Sequence, residues 1–247
     1  RVSVWGGTVA REREVASQSS GGAVGLLSVP SGAVLVPGSS PVAVMCTWLR
    51  RQEHPLESAL VSVGVATWPM VELEADDALA SAAFLAAADP DVEKVCIWTP
   101  DKDLAQCVVG DRVVQVDRKS GQIRDDAEVR ARFGVVPGRM PDYLALVGDA
   151  ADGYPGIPRI GAKTAATLIA RHGAIEEFPD HVLGDHRQRA LLFKDLAMLR
   201  TNAPLFGDVD ELHWQGPLPS FASVAEKIGD PRLATRIAKL AGRVEVR

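Results

Sequence analysis

The rhythm of hydrophobic and polar positions changes twice along the chain. Up to about residue 55 neither a helical nor an alternating period persists. Short apolar pieces at Ala23–Val29, Ala33–Val36 and Val42–Met45 sit among Ser-, Gly- and Pro-rich runs such as Ser17–Gly25 and Pro37–Pro41. Such pieces suit short strands between turns or a linker without fixed structure, and the pattern does not choose between them. From 56 to 140 strand-like and helix-like stretches alternate. Leu56–Val63 reads as a helix end, Gly64–Trp68 as a short strand, and alanine-rich Glu74–Ala88 as a helix. Lys94–Thr99 is a compact apolar run suited to a buried strand. Asp103–Val109 predicts a helix, Arg112–Val116 a strand, Ser120-Gly121 a turn, and Asp126–Phe133 a helix closed by Gly134. This order predicts an α/β fold: a mostly parallel sheet with flanking helices. From 141 to 247 the pattern is mainly helical. Pro141–Val147, Ala162–Arg171 (stopped by Gly173), Arg187–Arg200, Phe221–Ile228 and Pro231–Leu240 are the predicted helices, with a Gly216-Pro217 break.

Composition narrows the picture little. A chain of 247 residues, 47% hydrophobic, allows one large domain or a domain with a smaller appendage. No apolar run reaches the length that spans a bilayer, and Arg1 and its neighbours lack a basic start followed by an apolar segment. The expectation is a soluble, cytoplasmic protein without a membrane partner. The three cysteines, Cys46, Cys96 and Cys107, indicate neither a disulfide framework nor a zinc site. His181 and His186 read as exposed histidines. A net charge of −5 argues against a simple nucleic-acid coat but leaves room for an enzyme built on acids.

Three acidic groups stand out. Glu74, Asp76 and Asp77 open a predicted helix, where acids also suit the helix dipole. Asp101 and Asp103 follow the predicted strand Lys94–Thr99. Sites assemble beyond strand carboxyl ends in parallel sheets, but both residues also suit helix caps. Asp149 and Asp152 lie in a small-residue loop, where they also suit turns. Each group alone has an ordinary explanation. Their joint appearance in one α/β region is harder to explain, because converging carboxylates repel one another unless cations compensate. Hard divalent ions such as Mg²⁺ or Mn²⁺ do so through oxygen ligands, and two such ions serve phosphodiester hydrolysis.

Directly after the third group comes Gly156-Ile157-Pro158-Arg159-Ile160-Gly161, a tight hairpin leading into a predicted helix. Its glycines permit close backbone approach, and the first N–H groups of the helix suit a phosphate. No acid occurs from Gly153 to Ile175, whereas Arg159, Lys163 and Arg171 are basic. Such a footprint fits sequence-independent contact with a DNA backbone. An ordinary helix–turn–helix connection is the alternative.

Val71–Leu79, Thr99–Gln106 and Gly148–Ala165 resemble, in order and spacing, consecutive motifs of the bacterial 5′-3′ exonuclease and flap endonuclease family. That family includes the 5′ nuclease domain of DNA polymerase I. The segment Leu196–Leu205 is also similar, and the resemblance runs from about residue 60 to 217. It implies a PIN-like (Rossmann-like) α/β nuclease core over 56–140, then a helix–three-turn–helix, or helix-hairpin-helix, module and helical region over 141–247. It implies two divalent metals, Mg²⁺ or Mn²⁺, held by the catalytic residues Glu74, Asp76, Asp77, Asp101, Asp103, Asp149 and Asp152. It also implies DNA contact through Gly156, Ile157, Arg159, Ile160, Gly161, Lys163, Thr164 and Arg171, with K⁺ at the hairpin carbonyls. Implied substrates are 5′ flaps, nicked or gapped duplexes and RNA primers on DNA, cut by a monomer in replication and repair.

Residues 1–55 depart from the family's pattern. Members open with an apolar strand ending in a catalytic Asp, have a second Asp on a later strand, and carry a basic arch before the first acidic motif. No Asp precedes Asp76, and Glu12, Glu14, Glu53 and Glu57 are not at suitable strand ends. Neither the strand, its acid nor the arch is expected in this atypical Ser/Gly/Val-rich segment. Gly153 also stands where members often have Asn. Three readings remain: an active nuclease with a divergent amino-terminal region, a structure-specific DNA binder without catalysis, or a mistranslated or truncated start in place of the missing elements of the natural protein.

Overall fold

The computed structural model describes residues 2–5, 55–117 and 119–244. The apolar pieces between 23 and 45, and any arch before residue 55, lie outside the described residues. The chain divides into two compact units, residues 1–8 with 70–205 and residues 9–69 with 206–247.

The first unit holds a sheet of β1 (Val2–Trp5), β2 (Val95–Trp98), β3 (Val113–Val116) and β4 (Ile123–Arg124), in that spatial order. β1 and β2 are parallel, as are β2 and β3, while β4 runs antiparallel to β3. The α/β expectation therefore holds, and two strands were not foreseen from sequence: β1, and β4 beyond the Ser120-Gly121 turn. Asp117 builds that turn, its Oδ1 accepting the N–H groups of Lys119 and Ser120, both at 2.9 Å. β1 corrects a second expectation. An apolar first strand is present, in register Val2 to Val95 and Trp5 to Trp98, but it ends at Trp5, and no acid follows directly in the sequence.

Helices are α1 (residues 55–63), α2 (Ala75–Ala88), α3 (Asp126–Phe133), α4 (Met140–Val147), α5 (Ala162–His172), α6 (Asp180–Leu183), α7 (Arg187–Ala197), α8 (Phe221–Ile228) and α9 (Pro231–Val244). α3 matches its predicted bounds because local chemistry fixes both ends. Asp125 Oδ1 accepts the Glu128 N–H at 3.0 Å, and Gly134 closes the helix at φ 75°. The predicted helix Asp103–Val109 is instead a 3-10 turn, Asp103–Cys107. α7 stops three residues short of Arg200, because tertiary bonds take the backbone beyond Ala197. Leu199 donates to Gln106 Oε1 at 3.1 Å and Arg200 to Asp77 Oδ1 at 2.7 Å.

The core of this unit runs from Ala105 through α3, α4, α5 and α7 to Ala197. α4 is its centre and is buried from Met140 to Leu146. Asp142 lies within it at 1% exposure. A buried carboxylate needs partners, and this one has three: Lys194 Nζ at 2.7 Å, the Ile175 N–H at 2.9 Å and the Arg139 guanidinium at 3.7 Å. Lys194 also reaches Glu176 Oε2 at 2.7 Å, so α4 is tied to α7 and the 175–177 turn by one shared ammonium. The end of this anchored helix launches the Asp149 loop.

In the second unit the strand expected at Gly64–Trp68 does not form. Gly64 lies at φ 85° and the Val65 N–H returns to Leu60 O at 3.1 Å, so these residues close α1 rather than extend. Trp214 Nε1 caps Val63 O at 2.7 Å and the Leu218 N–H caps Ser62 O at 2.8 Å. α8 and α9 pack together. Among the described residues no helix is long and apolar enough to cross a membrane.

Candidate metal centre and phosphate loop

β2 delivers the chain to Thr99, whose buried Oγ1 accepts the Asp101 N–H at 3.2 Å. From β3, buried Gln115 donates its side-chain amide to Asp101 O at 2.5 Å. Asp101 Oδ1 in turn accepts the Asp103 N–H at 3.1 Å, so Asp101 caps the 3-10 turn while standing at the strand's carboxyl end. The turn carries Asp103 inward to 6% exposure, where its Oδ1 has no hydrogen-bond partner. An unpartnered buried carboxylate oxygen is costly without a cation or proton.

The second arm comes from α4. At Gly148 (φ 90°) and Gly156 (φ 72°) two backbone stretches cross without room for a side chain: a Cβ on Gly148 would lie 2.5 Å from Pro155 C. Between them Asp149 and Tyr154 exchange backbone hydrogen bonds at 2.9 and 3.0 Å, closing a small hairpin. Asp149 Oδ1 accepts the Ala151 N–H at 3.0 Å, and its Oδ2 pairs with the Lys102 ammonium. Carboxylate oxygens of Asp103, Asp149 and Asp152 all lie within 4.8 Å of one another. Two of the three predicted acidic groups therefore meet.

Electrostatics follow from that crowding. Burial, then the Asp101 charge, then the hydrogen bond to and charge of Asp152 push the Asp103 carboxyl up to about 8, against the opposing pull of Lys102. Burial acts to lower the Lys102 ammonium. The hydrogen bond and charge of Asp149, with Asp103 and Asp101 behind them, overcome it and raise the ammonium above its ordinary value. Tyr154 was not singled out from the sequence. Its buried hydroxyl has no partner, and burial together with the charges of Asp103, Asp149, Asp152 and Asp101 raises its pKa. Its one sequence signal was a tyrosine directly after Asp152-Gly153.

The first acidic group has a different placement. Asp77 Oδ2 accepts the Glu74 N–H at 3.0 Å and its Oδ1 the Arg200 N–H at 2.7 Å, so both oxygens serve the start of α2 and its tie to 200. Asp76 is buried, and with burial its charge pushes the Cys107 thiol up to about 12. Glu74 is the exposed N-cap of α2. None of these three belongs to the Asp103–Asp149–Asp152 group. That group fits a hard divalent cation: all its donors are carboxylate oxygens, and Asp103 Oδ1 lacks a partner.

The hairpin beyond is pinned from below. Gly156 and Ile157 are buried, and the Ile157 N–H is spent on Leu146 O at 2.8 Å, so these two hold the loop rather than face solvent. Arg159 takes the left-handed region at φ 68°, unusual for a side-chain-bearing residue, and stands exposed at the tip. Half-buried Ile160 closes the turn onto Ile157 O at 3.1 Å. Gly161 is the N-cap of α5 and brings no capping side chain. The first N–H to bond back is that of Ala165, to Gly161 O at 2.9 Å, which leaves those of Ala162, Lys163 and Thr164 ahead of it. Lys163, Thr164 and Arg171 are exposed. A phosphate fits such a helix start with cations beside it.

The profile of the 5′-3′ exonuclease N-terminal resolvase-like domain matches residues 44–134, and that of the 5′-3′ exonuclease C-terminal SAM fold matches residues 135–220. DNA polymerase I of Pseudomonas aeruginosa is 32% identical over 183 residues, 67% of this chain and 20% of that protein. The 5′-3′ exonuclease of Buchnera aphidicola (from Acyrthosiphon pisum) is 30% identical over 171 residues, 62% of this chain and 59% of that protein. The chain thus spans about a fifth of the first relative and under two thirds of the second. A crystal structure of a bacteriophage T5 D15 flap endonuclease variant, a pseudo-enzyme-product complex with DNA and metal ions, superposes with a TM-score of 0.52 at 14% identity. That likeness covers 83% of this chain and 73% of the phage protein, and it shows the shared PIN-like α/β fold with its helical module. Through two consecutive domains, residues 44–220, the chain belongs to the 5′-3′ exonuclease family.

Proposed function

We propose that the chain is a structure-specific 5′-3′ exonuclease and flap endonuclease that hydrolyses DNA phosphodiesters with two divalent ions, Mg²⁺ or Mn²⁺. The observation that carries this reading is the Asp103–Asp149–Asp152 group, with its unpartnered buried oxygen, in the same compact unit as the 156–164 loop. Asp103, Asp149 and Asp152, with Asp101 beside them, would hold the metal, and Asp76 and Glu74 on α2 are the remaining candidates for a second ion. A bound divalent ion supplies a water of lowered pKa and stabilises the leaving oxygen. The protein's own part is positioning. Arg159, Lys163 and the free N–H groups of α5 fix the DNA backbone, with K⁺ at the hairpin carbonyls. Lys102 balances part of the carboxylate charge, and the Gly148–Gly156 crossing holds the acidic loop against the phosphate loop. Residues 56–140 form the nuclease core in this reading, and 141–247 the helix–three-turn–helix module and helical region. The substrates are 5′ flaps, nicked or gapped duplexes and RNA primers on DNA, met by a monomer in the cytoplasm during replication and repair.

One observation favours a second reading, a DNA binder without catalysis. β1 ends on Trp5 where the family places a catalytic acid, and no Asp precedes Asp76. A 5′-flap duplex incubated with Mn²⁺, with Asp149→Ala as control, separates the two. Cleavage that the substitution abolishes supports the nuclease. Flap binding without cleavage in either protein supports the binder, and no binding at all sinks both.

A further inference from the structure

The second unit carries a concentration of positive charge that the nuclease reading does not use. α9 has no acidic residue between Pro231 and Val244, in a chain whose net charge is −5. Arg232, Arg236 and Lys239 are exposed at spacings of four and three residues. At 100° per residue they share an arc of about 60°, over about 10 Å of helix axis. The opposite side is spoken for. Leu233, Ile237 and Ala241 are half-buried, α9 packs on α8, and Ala241 Cβ lies 3.1 Å from where a Cβ on Gly216 would stand.

Helix stability does not account for these cations. Arg232 sits in the first turn, where the helix dipole disfavours positive charge. No Glu or Asp four residues away offers the side-chain pairing that usually supports a solvated charged face. Among the described residues no ion pair engages Arg232, Arg236 or Lys239. An anionic membrane is a poorer occupant than nucleic acid. Of its large apolar residues with described side chains, Leu233 and Ile237 are half-buried and only Leu240 is exposed, and the helix has no aromatic residue to insert.

We infer that the exposed face of α9 is a second, sequence-independent contact for the phosphate backbone of duplex DNA, distinct from the 156–164 loop. α9 lies beyond residues 135–220, where the family match ends. The inference rests on the nucleic-acid reading above, and its partner is chosen by charge: a cationic strip about 10 Å long spans roughly two to three phosphates of one strand at 3.4 Å each. Each lost contact lowers the slope of log K against log salt by about 0.9. Three contacts give a loss of about 2.7, which is roughly a 40-fold difference in effect between 50 and 200 mM salt.

The test measures binding of the full chain to a fluorescent 30-base-pair duplex across that salt range. The proteins are wild type, Arg232→Gln/Arg236→Gln/Lys239→Gln, and Arg159→Gln/Lys163→Gln, all in EDTA so that cleavage plays no part. Weaker binding and a shallower slope in the α9 variant support the inference, and Arg232→Lys/Arg236→Lys should then bind like wild type. If the triple variant fails to fold, Arg236→Gln alone should lower the slope by about 0.9. An unchanged slope in the α9 variant overturns the inference even when the loop variant binds poorly. Loss confined to the α9 variant keeps it and refutes the loop. An α9 effect seen only on sedimentation with phosphatidylserine vesicles overturns it in favour of a membrane, and no DNA binding by wild type overturns it together with the nuclease reading.

Discussion

Asp103→Asn should make the metal-free protein more stable, increasingly so as pH rises. The Asp103 carboxyl, 6% exposed, titrates at about 8 in the fold against 3.8 for an ordinary aspartate. Between those values the native state holds a proton that the unfolded chain releases. The slope of unfolding free energy with pH follows protons bound in the unfolded state minus those in the native state, which is negative here. Stability is therefore fully present below the unfolded value and is lost as pH climbs through the folded one. A shift of about 4 units at about 1.4 kcal/mol each sets a ceiling near 6 kcal/mol on the loss. The realised part is smaller wherever Asp101 and Asp152 take up the shared proton. Asparagine keeps the shape, carries no charge at any pH, and offers Asp152 a permanent donor. Urea unfolding in EDTA should show little difference between the proteins at pH 4 and a gain of several kcal/mol for the variant at pH 8.5. With excess Mn²⁺ the order should reverse, because the wild type gains from bound metal what the variant has lost. A difference that stays flat with pH, or a variant less stable at pH 8.5 in EDTA, would refute the account of Asp103.

Three further outcomes follow from the same geometry. Lys194→Met takes the ammonium at 2.7 Å from Asp142, 1% exposed, leaving it the Ile175 N–H and the Arg139 guanidinium at 3.7 Å, and should cost up to about 3–5 kcal/mol in urea unfolding, with Asp142→Asn in the same chain restoring part of it. Gly148→Ala places a Cβ 2.5 Å from Pro155 C at φ 90°, so it should cost more than the roughly 1 kcal/mol of a relaxed glycine replacement and weaken Mn²⁺ binding at least tenfold by calorimetry. Cys107, its thiol pushed up to about 12, should resist iodoacetamide at pH 8.5 until urea unfolds the protein; alkylation of the folded protein at a free-thiol rate counts against the burial argument.

The sequence was most informative where one residue decides the backbone locally. Asp125 and Gly134 fixed both ends of α3, and Gly173 stopped α5. It was least informative where distant partners compete with the local pattern. Nothing in Met198–Arg200 announces that Gln106 and Asp77 will pull the chain out of helix, and nothing in Gly64–Trp68 announces that Trp214 and Leu218 cap α1. The acidic motifs behaved likewise. Spacing and element ends singled out Glu74, Asp76, Asp77, Asp101, Asp103, Asp149 and Asp152 alike. Which oxygens are free is a three-dimensional property: Asp77 looks like its neighbours in sequence, yet backbone amides occupy both of its oxygens. β1 went unseen because four residues, Val-Ser-Val-Trp, carry too short a period to distinguish them from the Ser/Gly/Val-rich stretch that follows.

That short strand bears on function more than its length implies. Its register sets Trp5 level with Trp98, so the end of β1 stands beside the end of β2, where the chain turns toward Asp101. In a parallel sheet this is the side on which ligands assemble. The sequence after Trp5 is Gly6-Gly7, so no carboxylate directly follows β1. The described residues therefore bring carboxylates from two directions, the 101–103 turn and the 149–152 hairpin, with Lys102 already balancing part of their charge. Three carboxylates within 4.8 Å suffice to hold one hard cation. Placing two ions on either side of a phosphodiester asks more, and Glu74 and Asp76 must then serve from α2 while Asp77 stays with the backbone. In the proposed reading, metal affinity and cleavage are thus separable: the first would rest on the group around Asp103, and the second on whether α2 supplies what β1 does not.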